Sequence, residues 1–563
     1  MASTLNPGYR KMLDTPVPLE GPRKEAIDSL QKQIDFHIGE ANRLRYAQNS
    51  HVAISQLPAE LLSGVFLYVV EDGLRDQGAG TAFASGTFNF LQVCRHWNEV
   101  GVGSPQLWVW WVPDAVKVWH LFKSRSQDSP LFLTWGPHLP YWARDALVNA
   151  EIPRSIRQLN FSGNGHALEH LLGVFDSRSF SITSSVRLCG HSYEDNGEHL
   201  TRFFSSPFPN LSKLDIENFI PDSSSPIFTA SNLTSLKLNF PYTTPHRYTR
   251  SQFLQILQQN LSLRELDLRH GAIPLVKQSG ALAPVVLSQL VNLNLHGTNA
   301  TVAGVMDLVS MSSPLHNVIL SFQHDHTTSA TVLVNTTKKL LTAYYGCKEL
   351  EHPRKVHCLN ISSSPLQDDL VIEAESRFVS SSHPIYNLKL QHDRIGVPLT
   401  QKIIPLFPLK RVRELTARML DPTADNWCGT LRKMKGLSHL RLDSLDIEPV
   451  LSALYFFDEV EPGQRIVPNL KSLSFKNVSI FFALQQTLLR LLEERRDHNI
   501  GLEKLVIQSC RVTTSKYKAE LRGLVKKVTW QSVVEMGSDY DETETEEEID
   551  SDEFYGYEYW SDY

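Results

Sequence analysis

His324, Asp325 and His326 are the residues whose types and spacing come closest to a metal-binding motif in this sequence. A zinc site takes four ligands, or three and a water. The run is surrounded by polar residues typical of a loop, and no further ligand follows at the spacing of a zinc site. We therefore expect these side chains to be solvated, and we predict neither a metal nor another cofactor.

Six cysteines are spread along the 563 residues without a CxxC pair. The N-terminal sequence MASTLNPGYRKML lacks the apolar core of a secretory signal. Both features predict reduced thiols buried in protein cores and a location in the cytoplasm, the nucleus or both. The cysteines are Cys94, Cys189, Cys347, Cys358, Cys428 and Cys510.

Sequence motifs for bond chemistry are absent. The chain contains no GxxxxGK[ST] phosphate loop, no HExxH, no GxSxG and no EF-hand loop. The basic runs LRKMKG and LRGLVKK are short and lack interleaved aromatic residues, which is typical of solvated helix ends rather than of a nucleic-acid surface. No apolar run reaches the ~20 residues that cross a bilayer. We expect a protein that is not an enzyme and binds neither nucleic acid nor membrane.

Charge is divided unevenly between the C-terminus and the rest of the chain. Residues 539–563 contain twelve Asp or Glu and no Lys or Arg, while the remaining residues carry 55 basic and 49 acidic side chains. This composition predicts a disordered acidic tail over 536–563. Such a tail could keep the chain soluble, bind a basic partner, or fold back on a basic surface of its own chain.

The residues from Pro22 to Ser50 carry one apolar stripe at steps of three and four, which predicts an amphipathic helix over 23–50. The stripe is only about three heptads long, at the lower limit for an independent coiled coil. We therefore expect it to pack onto its own chain rather than to dimerise. Its residues are Ile27, Leu30, Ile34, Ile38, Ala41 and Leu44.

The sequence LPAELLSGVFLYVV places a proline and a glutamate directly ahead of an apolar run. Proline is tolerated in the first turn of a helix, and Glu60 favours the positive end of the helix dipole, so Pro58 predicts a helix start. The apolar residues that follow are too many for a narrow stripe, and we expect a broad apolar face of which part remains for a partner. They recur with helical spacing at Leu61, Leu62, Val65, Phe66 and Val69.

A second helical segment is indicated by FNFLQVCRHWNEV, where Leu91, Cys94 and Trp97 repeat in steps of three, and Ser104-Pro105 opens a further short helix. Together these segments predict a bundle of three short helices rich in large apolar residues. A bundle of ~40 residues is marginal by itself and usually needs a neighbouring domain or a partner. The pattern therefore indicates an interaction module.

Residues 52–112 resemble an F-box in the order and the types of their residues. The sequence departs from the compact F-box pattern by an insertion at 71–87, EDGLRDQGAGTAFASGT, whose Gly and Ala content predicts a loop. The resemblance is carried by Leu57-Pro58-x-Glu60-Leu61-Leu62 with Val65-Phe66, by Val93-Cys94-Arg95-x-Trp97 and by Ser104-Pro105-x-Leu107-Trp108.

The resemblance implies a docking surface for the Skp adaptor of cullin-RING ubiquitin ligases, and a link through that adaptor to cullin. Binding would place helices against an apolar groove, with a few large residues contributing most of the affinity. Alternatively, the same side chains only close a small core. The residues that would form the docking surface and its support are Leu57, Pro58, Leu61, Val65, Phe66, Cys94, Trp97, Leu107 and Trp108.

An apolar pattern of the form L-x-x-L-x-L recurs through the rest of the chain; from Leu211 to Leu502 it returns on average once in about 29 residues, at the upper end of the spacing of leucine-rich repeats, and the occurrence at Ile156 could be an early member. Its last two apolar positions alternate as in a strand, and intervening segments such as SQFLQILQQN and ALQQTLLRLLEERR show helical stripes. Stacked units of this kind predict a curved parallel sheet with helices outside. The occurrences begin at Ile156, Leu211, Leu233, Leu263, Leu290, Leu315, Val356, Ile385, Val412, Leu437, Leu470 and Leu502.

This long region resembles the leucine-rich-repeat-like part that follows the F-box in many fungal F-box proteins. We expect its leucines to form the core and any recognition to lie on the exposed strand positions and the loops after them, although each such residue alone could be merely solvated. The exposed strand positions are Lys213, Asp215, Lys237, Asn239, Glu265, Asp267, Asn294, Lys389, Arg441 and Lys471.

The predicted fold class is mixed α/β, with an N-terminal helix and a small all-α F-box bundle followed by an irregular leucine-rich-repeat-like α/β solenoid. The expected function is that of a substrate-recognition subunit of an SCF-type cullin-RING ubiquitin ligase that holds an unknown target protein. Rival interpretations are an F-box scaffold outside any ligase, and a leucine-rich-repeat enzyme regulator or small-ligand receptor. The predicted divisions are a disordered N-terminus at 1–22, the amphipathic helix at 23–50, the F-box at 52–112, the solenoid at 113–535 and the tail at 536–563.

Overall fold

A computed structural model shows two compact units, Met1–Asn210 and Leu211–Tyr563. None of the helices in the described part of the chain has the length and apolar content to cross a membrane. The structure describes residues 22–77, 88–111, 121–122, 124–136, 155–168, 180–190, 201–230, 232–241, 248–273, 283–311, 315–323, 330–345, 358–364, 369–376, 386–392, 403–418, 424–444, 446–455, 466–512 and 516–535. The His324–His326 run and the acidic tail lie outside these residues.

The described residues of the first unit begin with three helices, and short 3-10 turns lie between and after them. The helices are α1 (Pro22–Ser50), α2 (Ala59–Gln77) and α3 (Arg95–Gly103). The 3-10 turns are Ala53–Gln56, Asn89–Gln92 and Pro105–Leu107.

Helix α1 leaves its apolar stripe in solvent. Ile27, Leu30, Ile34, Ile38 and Leu44 are all exposed. The expected packing of this stripe onto its own chain is therefore not made by the residues that the structure describes.

Helix α2 continues through residues 71–77, where the sequence suggested that a loop begins. This part of the prediction is wrong because EDGLRDQ contains mostly good helix formers and only one glycine, which costs about 1 kcal/mol and does not stop a helix already propagating. Residues 78–87, the rest of the expected loop, lie outside the described residues.

The described part of the first unit also contains four short parallel strands. A short helix, α4 (Thr201–Phe204), follows them. Around it, Phe180, Phe203 and Phe208 are buried, with ring centroids 5.1 to 5.6 Å apart. The strands are β1 (Trp110–Trp111), β2 (Leu131–Trp135), β3 (Ile156–Gly163) and β4 (Ser185–Gly190).

The second unit repeats a strand and a following helix or turn. Its described helices are α5 (Arg250–Gln259), α6 (Asn299–Leu308), α7 (Ala330–Tyr345), α8 (Ala424–Leu431), α9 (Glu448–Tyr455), α10 (Phe482–Asp497) and α11 (Lys516–Leu524). Its described strands are β5 (Lys213–Glu217), β6 (Ser235–Phe240), β7 (Glu265–His270), β8 (Val285–Val286), β9 (Asn292–Thr298), β10 (Val309–Ser310), β11 (Asn317–Gln323), β12 (Cys358–Ser364), β13 (Asp369–Ser376), β14 (Tyr386–His392), β15 (Glu414–Arg418), β16 (His439–Asp443), β17 (Ser472–Lys476), β18 (Ser479–Ile480), β19 (Lys504–Gln508), β20 (Arg511–Val512), β21 (Lys527–Gln531) and β22 (Val534–Glu535).

Strands of this unit pair in parallel so that equivalent pattern positions stand beside each other. Leu214, Leu236, Leu266 and Leu293 lie in one row from β5 to β9. A matching row runs from Leu415 on β15 through β16, β17 and β19 to β21. The pattern leucines in these strands are at most 3 % exposed, which confirms that they form the core. Alternate strand residues consequently point out of the core.

An antiparallel segment interrupts the succession of parallel strands. Strand β13 pairs antiparallel with both β12 and β14. As a result β14, and not β12, lies beside β11, while β12 lies beside β15. The prediction of a parallel sheet is therefore wrong at β13, which lies between the occurrences that begin at Val356 and Ile385. Four residues join β12 to β13, too few for the crossover that a parallel pair needs.

A left-handed residue follows several parallel strands. Asn218, Asn477 and Ser509 have φ angles of 61°, 54° and 52°. Their N–H groups donate to carbonyl oxygens at the end of the next strand, at 2.8 to 3.1 Å. Asparagine tolerates this backbone region better than most residues. Each turn begins directly after the last paired residue of its strand, at equivalent positions of neighbouring repeats. Beyond it, β18, β20 and β22 form a short second parallel ladder, as β8 and β10 do elsewhere.

Candidate protein-interaction surface

The start of helix α2 is set by Leu57 and Pro58. Leu57 has an extended backbone, with φ −63° and ψ 140°, as the residue before a proline favours. The Pro58 carbonyl accepts a hydrogen bond from Leu62 N–H at 3.0 Å. Pro58 is thus the residue that precedes the helix and caps it, and its exposed ring stands at the entrance to the apolar run.

Helix α2 presents apolar side chains on two different sides. Leu62, Phe66 and Val70, at intervals of four, are at most 1 % exposed. A second set, which we call the α2 outer stripe, lies in solvent although it is equally apolar. The α2 outer stripe consists of Leu61, Val65, Tyr68 and Val69.

Aromatic rings close the small core beneath α2. The rings of Phe66 and Phe90 stack with centroids 4.2 Å apart, and Trp97 lies 5.2 Å from Phe66. Trp108 packs against Phe122 with ring centroids 4.9 Å apart. Leu107 completes the same cluster and is fully buried.

Helix α3 is fixed to this core by close contacts at its end. Trp108 Nε1 donates a hydrogen bond to the Gly101 carbonyl at 2.8 Å. Ser104 Oγ donates to the Val100 carbonyl at 2.6 Å, and Asn98 Nδ2 donates to the Leu91 carbonyl at 3.0 Å. These bonds satisfy helix-end carbonyls that would otherwise lack partners.

The nine residues that the sequence singled out divide into three groups. Phe66, Leu107 and Trp108 are buried in the core cluster, and can only support a docking surface. Leu57, Cys94 and Trp97 are half-buried. Pro58, Leu61 and Val65 are exposed, and are the members that a partner could reach directly. Docking itself stays a prediction.

Three exposed apolar residues of this surface, Tyr68, Val69 and Val93, were not among those nine. Tyr68 continues the α2 outer stripe at helical spacing from Leu61, so periodicity carries the signal for it. Val93, which the motif includes, is exposed beside Cys94. Cys94 and Val93 line a polar groove together with Asn42 and Tyr46 of helix α1.

The outward face of strands β5, β6, β7 and β9 forms a second candidate surface. Its charged side chains are largely paired with each other. Lys237 Nζ lies 2.8 Å from Glu265, and Arg269 contacts Asp267 through two hydrogen bonds of 3.0 and 2.9 Å. Burial raises the pKa of Glu265, but hydrogen bonds from Lys237 and Ser235 outweigh it and hold that pKa below its usual value.

Two histidines adjoin that charged face. The rings of His270 and His296 meet edge to face with centroids 4.5 Å apart. Burial, followed by the positive neighbours His270 and Arg269, lowers the pKa of His296 to about 4. Within the described residues, no group of three or more His, Cys, Asp or Glu is arranged to hold a metal ion.

Strands β15, β16, β17, β19 and β21 carry a different outward face. Five Lys or Arg point outward there, against the two carboxylates of Glu414 and Asp443. We call this surface the basic strand face. It consists of Arg418, Arg441, Lys476, Lys504 and Lys527.

No protein-family model and no curated protein matches the chain. Among solved structures, the chain is similar to an internalin from Listeria monocytogenes str. 4b F2365 at 9 % identity and a TM-score of 0.25, over 62 % of this chain and 81 % of that one. Neither value is high enough for this likeness to support a statement about fold or function.

Proposed function

We propose that the chain is a non-catalytic substrate-recognition subunit of an SCF-type cullin-RING ubiquitin ligase, acting in the cytoplasm, the nucleus or both. The observation that carries the proposal is the two-sided helix α2. Its inner residues are buried in the aromatic core, whereas the α2 outer stripe remains in solvent and includes Leu61 and Val65, two positions that carry the F-box resemblance. A soluble protein rarely leaves such a contiguous apolar surface uncovered without an interaction to use it.

Adaptor binding would cover the α2 outer stripe with an apolar groove. Leu61 is 59 % exposed and Val65 is 43 % exposed, so each has about half of its side chain left to bury. Burying half of a Leu or Val side chain contributes roughly 1 kcal/mol. Pro58 and the half-buried Trp97 would widen the contact, since a few large residues usually dominate such an interface.

The target protein would bind the outward strand faces and the loops that follow them. Lys213, Arg441 and Lys471 are exposed at these positions and most of the others are half-buried, although Asp267, predicted to be exposed, is buried. The leucines between them form the core, which supports a division between scaffold and contact surface. The chain itself would perform no bond chemistry. Its contribution to ubiquitin transfer would be proximity, because holding two reactants together raises their effective concentration.

The test is binding of purified Skp adaptor to the full chain and to the double variant Leu61→Ala, Val65→Ala. The matched control is Leu261→Ala, which shortens a leucine that is 53 % exposed in the other unit. Circular dichroism should show that all three chains are equally folded. We expect the wild type and the control to bind and the double variant to lose at least about tenfold in affinity, the equivalent of ~1.4 kcal/mol.

Failure of the folded wild-type chain to bind the adaptor would reject the ligase proposal. Helices α2 and α3 would then be a structural cap on the strands that follow, and the chain would be an F-box-like scaffold that works without the adaptor. Equal binding by the wild type and the double variant would place the docking surface elsewhere.

A further inference from the structure

The basic strand face has positive charges that nothing in the described chain neutralises. Asp443 is already engaged, because its carboxylate accepts from Asn477 Nδ2 at 2.9 Å and lies 3.8 Å from Lys476 Nζ. No carboxylate of the described residues lies within 4.0 Å of the side-chain nitrogens of Arg418, Arg441, Lys504 or Lys527. The face therefore has cations available for an acidic ligand.

The contrast with the other outward face shows that this imbalance is local. On strands β5 to β9, Lys237 and Arg269 each have a carboxylate partner at 2.8 to 2.9 Å. Four acidic and three basic residues point outward there. An acidic ligand would be repelled from that face and attracted to the basic strand face.

Strand pairing sets the dimensions of the basic strand face. Lys504 and Lys527 stand directly opposite each other on β19 and β21. Arg418 on β15 lies in the same row as Lys476 on β17, with Asp443 between them. Neighbouring strands are about 4.8 Å apart, so the five strands span roughly 19 Å.

An acidic segment follows this face closely in the sequence. The described residues end at Glu535, only four residues after Gln531, which ends strand β21. Twelve acidic and no basic residues follow between 539 and 563. Twenty-five residues can extend to about 80 Å, several times the width of the face.

We propose that the acidic segment 539–563 binds the basic strand face of its own chain. The attraction is electrostatic, and the covalent link makes it intramolecular, with an effective concentration in the millimolar range. A bound tail would cover one of the two outward faces and would compete with any acidic ligand there. Ligands of the other outward face would be unaffected.

Zero-length cross-linking of the full chain tests this proposal. A carbodiimide joins carboxylates to lysine amines that touch them, and peptide mapping of the monomer identifies the pairs. We expect cross-links from residues 539–563 to Lys504 and Lys527 at least about tenfold more often than to Lys32 and Lys433, which are exposed lysines in helix α1 and just after helix α8. The preference should vanish in 1 M salt, where the Debye length is about 3 Å.

Two comparisons make the outcome decisive. Changing Glu546, Glu547 and Glu548 to Gln keeps the length of the tail and should reduce the cross-links to Lys504 and Lys527 several-fold. Mixing light and heavy isotope-labelled chains separates contacts within one chain from contacts between two. Equal cross-linking to all four lysines would overturn the proposal, and so would links found only between different chains. None of these readouts depends on the Skp adaptor.

Discussion

Trp108 Nε1 donates a hydrogen bond of 2.8 Å to the carbonyl of Gly101, and this contact joins the end of helix α3 to the aromatic core under α2. Gly101 is buried at this contact, and a Cβ atom placed on it would collide with Leu91. The guanidinium carbon of Arg125 lies 4.3 Å from the centre of the Trp108 ring. A larger residue at position 101 would therefore require the Leu91 side chain to move.

Gly101→Ala should leave the first unit about 1–2 kcal/mol less stable than Gly103→Ala does, because both variants gain helix propensity but only the first forces the Leu91 side chain to move. Gly103→Ala is the matched control, because a Cβ there meets no atom within 4 Å and the residue is in the same helix. Urea unfolding monitored by tryptophan fluorescence measures both. Equal stability of the two variants would contradict the close packing at Gly101.

Phe66→Ala and Val65→Ala should differ sharply although the residues are neighbours. Phe66 is 1 % exposed and stacks on Phe90, so its truncation should cost about 3–5 kcal/mol. Val65 is 43 % exposed, and its truncation should cost about 0.5 kcal/mol or less. Thermal unfolding of the two variants compares the costs. A larger loss at Val65 would reverse the assignment of the inner and outer sides of α2.

Arg495→Met should destabilise the second unit by roughly 2–4 kcal/mol. Arg495 is 1 % exposed and donates to the carbonyls of Val467 and Leu470 at 3.2 and 3.4 Å, across a turn in which Val467 has φ 55°. Removing the guanidinium leaves those carbonyls without its hydrogen bonds. The neighbouring Arg496→Met, at an exposed position, should change stability little. Similar losses for both variants would show that Arg495 does not hold this turn.

His296 should make the second unit less stable as the pH falls. Its pKa is about 4 in the folded chain and near 6.5 when unfolded, so the unfolded chain takes up the proton first. The contribution of neutral His296 to the free energy of unfolding is fully present above about pH 6.5 and is lost between there and pH 4. For a half-buried group this loss is roughly 1–2 kcal/mol. His296→Asn should flatten the stability curve in that window, whereas His51→Asn, at an exposed position, should not. A curve unchanged by His296→Asn would refute this assignment.

Helices and the core of the repeats could be predicted from the sequence, because both follow from the periodicity of apolar residues. The stripe of SQFLQILQQN became helix α5, with Phe253, Leu254, Ile256 and Leu257 buried. Leu473 and Phe475 alternate inward along β17 as their spacing requires. Local spacing decides such features, and it is fully visible in one sequence.

Features that depend on distant partners were less accessible to sequence analysis. Residues 61, 62, 65, 66, 69 and 70 are all apolar, so nothing in α2 itself shows which side the core will take. The antiparallel strand β13 was not predicted, because its sequence DLVIEAES lacks the L-x-x-L-x-L pattern. The solvent exposure of the α1 stripe likewise depends on neighbours and not on its own spacing.

We proposed that the surface around helix α2 docks the Skp adaptor. Hydrogen exchange of the full chain, with and without purified adaptor, tests this docking most directly. We expect slower exchange on adding the adaptor in the segments 52–70 and 88–111, with strands β5 to β21 unchanged. The two-sided α2 helix would then be the docking element. An exchange pattern that does not change when the adaptor is present in excess, or that changes only in the repeat strands, would contradict the account.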